Sequence, residues 1–137
     1  MALDSTDQTI EMSKQTLNQR VRRLLPHLEA TEAADVARVT ETLIRTFRPE
    51  RIYVFGSHAR RSASYHSDLD LFVVVPEPAE FPHRLAQKAY RAIGHHVLPL
   101  DMVFMGSEEF DWRAGVVASL PATVQREGQL LYATATA

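Results

Sequence analysis

The chain has 137 residues, which is the size of one compact domain. Hydrophobic residues make up 45% and charged residues 23%, which is ordinary globular usage and excludes a disordered chain or a fibrous repeat. The formal net charge of −2 excludes a protein that holds nucleic acid through an extended phosphate-neutralising surface. Any contact with a nucleotide must therefore be local.

The absence of cysteine excludes disulfides and thiolate metal sites. The N-terminal segment lacks a basic start followed by an apolar run, and no stretch approaches the roughly 18 apolar residues of a membrane span. We therefore expect a cytoplasmic protein with no membrane segment.

Two amphipathic helices are predicted before Pro49. The first runs from Asp4 to Leu25, where apolar residues recur at helical spacing and Pro26 follows. The second is predicted to start at a Thr31 cap and to end at Arg48, before the proline. Its apolar stripe is formed by Val36, Val39, Leu43, Ile44 and Phe47. Residues 1–49 are thus interpreted as a helical N-terminal extension.

The pattern after Pro49 indicates an α+β domain over residues 50–137. Strands are predicted at 52–55, 69–75 and 97–105, with Pro99 near the start of the third, and a helix at 81–93 ends at Gly94. The tail predicts one or two short helices within 108–126 and a final extended segment at 130–132. Phe110 and Trp112 are interpreted as core residues.

Three aspartates lie in the predicted strands or directly before one of them. Asp68 and Asp70 are two residues apart, so they share one face with Cα atoms roughly 6.6 Å apart. Asp101 lies in the otherwise hydrophobic third strand. Two same-face aspartates repel each other on an ordinary strand, and a bound cation would remove that cost. If the third strand pairs beside the second, the three carboxylates converge.

The donor types predict which metal would bind there. Oxygen ligands without cysteine, and without histidine at ligand spacing, favour Mg²⁺ or Mn²⁺ over zinc. Mg²⁺ usually binds through a few carboxylates together with substrate phosphates. The carboxylates therefore also predict a phosphate-bearing substrate.

The turn after the first strand is the candidate phosphate-binding half of the site. Gly56 permits a tight turn, and the Ser57 hydroxyl, free N–H groups at a helix start near His58, and Arg60 or Arg61 can together hold a polyphosphate. His58 and His66 lie in the same loop and could contact the nucleotide. Either Gly-Ser or Asp-x-Asp alone is more often a common turn or a solvated loop. Their occurrence together favours a site.

A glycine and serine, ten intervening residues and then Asp-x-Asp before an apolar strand resemble the nucleotidyltransferase superfamily typified by DNA polymerase beta. Within it, the chain is similar to the minimal nucleotidyltransferase domains that pair as antitoxins with HEPN-type ribonucleases. The resemblance covers Arg51 to about Tyr132. It implies an α+β nucleotidyltransferase fold, a small mixed sheet flanked by helices, here with two additional N-terminal helices.

The resemblance also implies roles for the motif residues. Gly56 and Ser57 would bind a nucleoside triphosphate, and Asp68, Asp70 and Asp101 would be the catalytic carboxylates that hold two Mg²⁺ ions, with Mn²⁺ as an alternative. Family members often have glycine after the motif arginine, where this chain has Arg61. Whether Arg60 or Arg61 contacts phosphate stays open at this point.

The implied activity is transfer of a nucleoside monophosphate, AMP from ATP, to an acceptor hydroxyl with release of pyrophosphate. The resemblance suggests that the acceptor is a partner protein, a HEPN-type toxin, which gives the chain an antitoxin role. Two alternatives stay open: a non-catalytic antitoxin that binds and masks its partner, and an aminoglycoside-type transferase acting on a small molecule. A homo-oligomer is compatible with each of them.

Overall fold

The structure is a computed structural model, and it describes residues 14–60, 62 and 67–134. The described part of the chain forms a sheet with helices on both of its faces. In chain order the elements are α1 (Lys14–Leu24), α2 (Ala30–Phe47), β1 (Arg51–Phe55), α3 (Gly56–Ala59), β2 (Leu69–Val75), α4 (Pro82–Ile93), β3 (Leu100–Gly106), α5 (Ser107–Ala114), α6 (Leu120–Glu127) and β4 (Gln129–Ala133).

The sheet is mixed, with strand order β3-β2-β1-β4. β2 and β3 are parallel, joined by α4 as a crossover, while β1 runs antiparallel to both β2 and β4. This arrangement confirms the predicted α+β class and the small mixed sheet flanked by helices. The parallel pairing of β2 and β3 places the starts of both strands at the same end of the sheet.

The core has two layers because side chains alternate between the faces of each strand. On one face, Leu71 of β2 packs in a single cluster with Val21 of α1 and Leu43 of α2. On the other face, Phe72 packs with Phe110 of α5 and with a smaller cluster under α5 and α6. The N-terminal helices therefore contribute side chains to the same core as the strands.

The second N-terminal helix begins two residues earlier than predicted. Its N-cap is Glu29, whose side chain accepts a hydrogen bond from the Glu32 N–H, while the Glu32 side chain accepts one from the Glu29 N–H. The predicted Thr31 cap is therefore wrong. The predicted stripe is buried along α2, apart from the half-buried Phe47, which ends the helix. Arg48 follows with a φ of 48°, the left-handed conformation that terminates helices. The first part of the predicted helix one, residues 4–13, lies outside the described residues.

Other boundaries differ by a few residues. β3 begins at Leu100 and not at Val97, because the Val97 N–H donates to the Asp35 carboxylate at 2.7 Å and so takes no part in the sheet. The short helix α3 begins at Gly56, two residues before the predicted start. The tail contains two helices and β4, as the sequence indicated. None of the helices in the described part of the chain is long and apolar enough to cross a bilayer.

Candidate active site

The sheet register brings two of the three predicted aspartates side by side. Asp70 of β2 pairs directly with Asp101 of β3 in the parallel ladder. Residues directly opposite each other share a face, so both carboxylates leave the same side of the sheet. Asp68 lies two residues before Asp70, next to the start of β2. Asp70 is half-buried, whereas Asp68 and Asp101 are exposed.

Gly56 lies against Asp70 on the side opposite Asp101. The last residue of β1, Phe55, pairs with Asp70, and Gly56 follows it with a φ of +74°. A Cβ atom at position 56 would lie 2.2 Å from Asp70 Oδ2. The close approach at this glycine is therefore made by the Asp70 carboxylate, which sits between Gly56 and Asp101.

The electrostatics of Asp70 reflect this crowding. Burial raises the pKa of the Asp70 carboxyl, and the neighbouring charges of Asp101 and Asp68 raise it further. Electrostatic interactions with His58 and Arg60 act in the opposite direction and lower this pKa. Three carboxylates are thus held near one another at a cost that a bound cation would relieve.

The carboxylates fit a divalent cation by their chemistry. Within residues 14–60, 62 and 67–134, no group of three or more His, Cys, Asp or Glu side chains is already arranged as a metal cage. Asp68 and Asp101 are exposed, however, so their side chains have room to turn toward Asp70. Carboxylate oxygens are the donor set expected for Mg²⁺ or Mn²⁺.

The candidate phosphate-binding residues are only partly described. Ser57 is half-buried in α3, and its carbonyl accepts from the Ser62 N–H at 2.9 Å. The exposed Arg60 follows α3 and forms an ion pair with Glu127 at 3.8 Å, a contact that a phosphate could replace. Arg61, the other candidate for a phosphate contact, lies outside the described residues.

His58, which the sequence suggested could contact the nucleotide, is a buried side chain with protein partners. Its side chain is 3% exposed, with Nε2 3.1 Å from the Ser67 carbonyl and Nδ1 3.0 Å from Nε2 of His27. A carbonyl only accepts, so Nε2 of His58 donates to Ser67, and in the neutral ring Nδ1 accepts from His27. His58 therefore ties α3 to the residue before Asp68. The predicted contact of His66 with nucleotide lies outside the described residues.

A surface groove lies away from these residues. It has a volume of about 670 Å³ and is lined by residues that include Pro78, Phe81 and Glu109. These residues follow the end of β2 or lie in α5, whereas Asp70 lies at the start of β2, roughly 17 Å away along the strand. The groove is therefore separate from the carboxylates.

The raised pKa of Asp70 predicts a stability effect in the metal-free protein. Because its pKa is higher in the folded than in the unfolded chain, ionised Asp70 costs stability as pH rises above the ordinary carboxyl value. Asp70→Asn should therefore raise the free energy of unfolding at neutral pH by about 0.2–1 kcal/mol, the scale of a like-charge cross-strand pair. The gain should vanish as pH falls through that ordinary value. Urea denaturation with chelator, from pH 7 to pH 3.5, measures both effects, and a gain that is independent of pH would contradict the assignment.

The chain is similar to a known protein family. The family model described as a nucleotidyltransferase domain matches residues 36–130, well over half of the chain. The matched segment contains Gly56, Ser57 and the three aspartates. Neither the curated proteins nor the solved structures gave a significant match.

Proposed function

Because the chain belongs to the nucleotidyltransferase domain family, we propose that it transfers AMP from ATP to an acceptor hydroxyl. The single observation that carries the proposal is the position of Asp70, between Gly56 on one side and Asp101 on the other. This arrangement sets a carboxylate pair directly beside the turn that the family motif assigns to phosphates. In the reaction the acceptor oxygen bonds to the α-phosphorus, and the bond from that phosphorus to pyrophosphate breaks.

Each residue of the site has a proposed task. Gly56 and Ser57, with Arg60 or Arg61, would hold the triphosphate beside the carboxylates. Asp68, Asp70 and Asp101 would hold two Mg²⁺ ions, or Mn²⁺, which when bound would supply charge stabilisation and alignment of the phosphates.

Asp101 has an additional task in this proposal. Its exposed carboxylate, on the outer side of Asp70, would face the acceptor and accept the proton that the attacking hydroxyl loses. Asp70 is enclosed on both sides, so it is less suited to that role. The site is thus divided into a phosphate-holding half at α3 and an acceptor half at β3.

We propose a partner protein as the acceptor, of the HEPN toxin type, with the chain acting as its antitoxin in the cytoplasm. The support is the resemblance of the Gly56 to Asp70 motif to the minimal nucleotidyltransferase domains. A non-catalytic antitoxin that only masks its partner is the second candidate. It is favoured by an exposed apolar surface on α5 and the turn that follows, where Trp112 is 69% and Val117 85% exposed.

The residues that would catalyse the reaction all lie in the region 50–137, which we propose as the catalytic unit, with residues 1–49 as its helical support. Arg20 of α1 donates to the Leu130 carbonyl at 3.0 Å, and His27 contacts His58. The N-terminal region therefore contacts both β4 and α3 directly.

The experiment that tests this function combines the chain, α-labelled ATP and the protein encoded beside it. We expect Mg²⁺-dependent transfer of label to that protein, and no transfer by Asp68→Asn. Glu108→Gln is the matched control, because it removes an exposed carboxylate from α5, beyond the other end of β3. An Asp68→Asn variant that transfers no label and still neutralises the partner fully would favour masking. Labelling of an aminoglycoside without any partner would favour the small-molecule transferase.

A further inference from the structure

Asp101 lies on an edge strand, so one side of its backbone has no neighbouring strand. In the strand order, β3 contacts only β2, whereas Asp70 on β2 is flanked by strands on both sides. On the inner edge, the carbonyl of Pro99 accepts from the Leu69 N–H at 2.8 Å. The outer edge beside Asp101 needs another partner to hold it in register.

Tyr90 of α4 supplies a partner at that edge. Its hydroxyl donates to the carbonyl of Leu100, the residue immediately before Asp101, at 2.7 Å. α4 is itself held against α2, because Arg38 donates to the Ile93 carbonyl at 3.0 Å. The bond therefore links the start of β3 to a helix that is anchored in the rest of the fold.

We propose that Tyr90 is a positioning residue for Asp101, holding the start of β3 so that the Asp101 carboxylate stays beside Asp70. This inference rests on the proposed function and adds a residue to its acceptor half. Tyr90 acts through Asp101, because its hydroxyl is engaged with the Leu100 carbonyl.

The surroundings of the phenol support this assignment. Burial raises the pKa of the Tyr90 hydroxyl, and the charges of Asp101 and Asp68 raise it further, against a smaller opposing effect of a backbone hydrogen bond with Met102. The hydroxyl therefore stays protonated at neutral pH and remains a donor. Tyr90 is 38% exposed, so it stands at the surface and is not part of the buried core.

The test compares Tyr90→Phe, which removes only the hydroxyl, with Tyr132→Phe. Tyr132 is a buried tyrosine on β4, the opposite edge strand of the sheet. Titration of Mn²⁺ alone, followed by electron paramagnetic resonance, should show affinity weakened by about 10-fold in Tyr90→Phe. Tyr132→Phe should leave Mn²⁺ affinity unchanged. Circular dichroism and thermal melting of both variants establish that they remain folded.

Steady-state transfer kinetics give the second readout. Turnover by Tyr90→Phe should fall by about 10-fold, while KM for ATP changes by less than about twofold, since the phosphate-holding half is intact. A purely structural tyrosine would lower stability without this division between turnover and KM. If Tyr90→Phe gives the same Mn²⁺ titration as the wild-type chain, the proposal is overturned. Absence of transfer by the wild-type chain would refute the proposed function instead, and the Mn²⁺ comparison would still decide the role of Tyr90.

Discussion

Asp101→Asn is expected to abolish transfer, lowering turnover by about 100-fold to 10,000-fold, the range for loss of a general base. Mg-ATP should bind with nearly unchanged affinity, because Asp68 and Asp70 remain to hold the nucleotide's metal. The amide keeps the size of the side chain and removes its charge and basicity. Single-turnover kinetics, combined with calorimetry of Mg-ATP binding, separate the two effects.

Ser57→Ala is the comparison variant, and its expected effect is on binding. Ser57 belongs to the phosphate-holding half, so its loss should weaken nucleotide binding more than it slows the chemical step at saturation. Near wild-type transfer by Asp101→Asn would remove Asp101 from the reaction. The role of the third carboxylate would then have to pass to another residue near the start of β2.

Gly56→Ala is expected to reduce Mg-ATP binding by at least about 10-fold, the scale seen when groups that orient metal ligands are lost. The added Cβ would lie 2.2 Å from Asp70 Oδ2, far inside contact distance, so the carboxylate must rotate away from its place beside Asp101. Alanine at the positive φ of position 56 should also lower the free energy of unfolding by about 1–2 kcal/mol. Calorimetry and urea denaturation measure these two quantities.

Gly94→Ala provides a matched control for the backbone strain. Gly94 also has a positive φ, +68°, but a Cβ there would meet nothing within 4 Å. Both variants should therefore lose stability, whereas only Gly56→Ala should lose Mg-ATP binding. Binding retained in Gly56→Ala would mean that the place of Asp70 beside this glycine has no part in holding nucleotide.

Much of the fold could be predicted because its signals are local and periodic. The bounds of β2 were predicted at Leu69 and Val75, and the apolar stripe of α2 was predicted from its 3.6-residue spacing. The predicted start of β3 was wrong because the Val97 N–H donates to the distant Asp35 carboxylate, a contact that no local pattern encodes. Trp112 was wrongly interpreted as core, since α5 buries Phe110 toward the sheet and leaves Trp112 69% exposed.

The candidate site shows the same division between local and long-range information. The spacing of Asp68 and Asp70 placed them on one face, but the alignment of Asp70 with Asp101 depends on parallel pairing across a helical crossover. The bond between His27 and His58 joins residues 31 positions apart, and Tyr90 meets Leu100 through the packing of α4. Histidine and tyrosine in such places have no periodic signature, so only the folded structure reveals these positioning contacts.

We propose that Asp70, set between Gly56 and Asp101, helps to form a metal-dependent nucleotide site. The most direct measurement is calorimetry of ATP binding to the wild-type chain with Mg²⁺, with excess chelator, and to Asp70→Ala with Mg²⁺. We expect saturable binding only for the wild-type chain with Mg²⁺, because the carboxylates and the triphosphate otherwise repel each other. Equal ATP affinity in chelator, or in Asp70→Ala, would contradict the site.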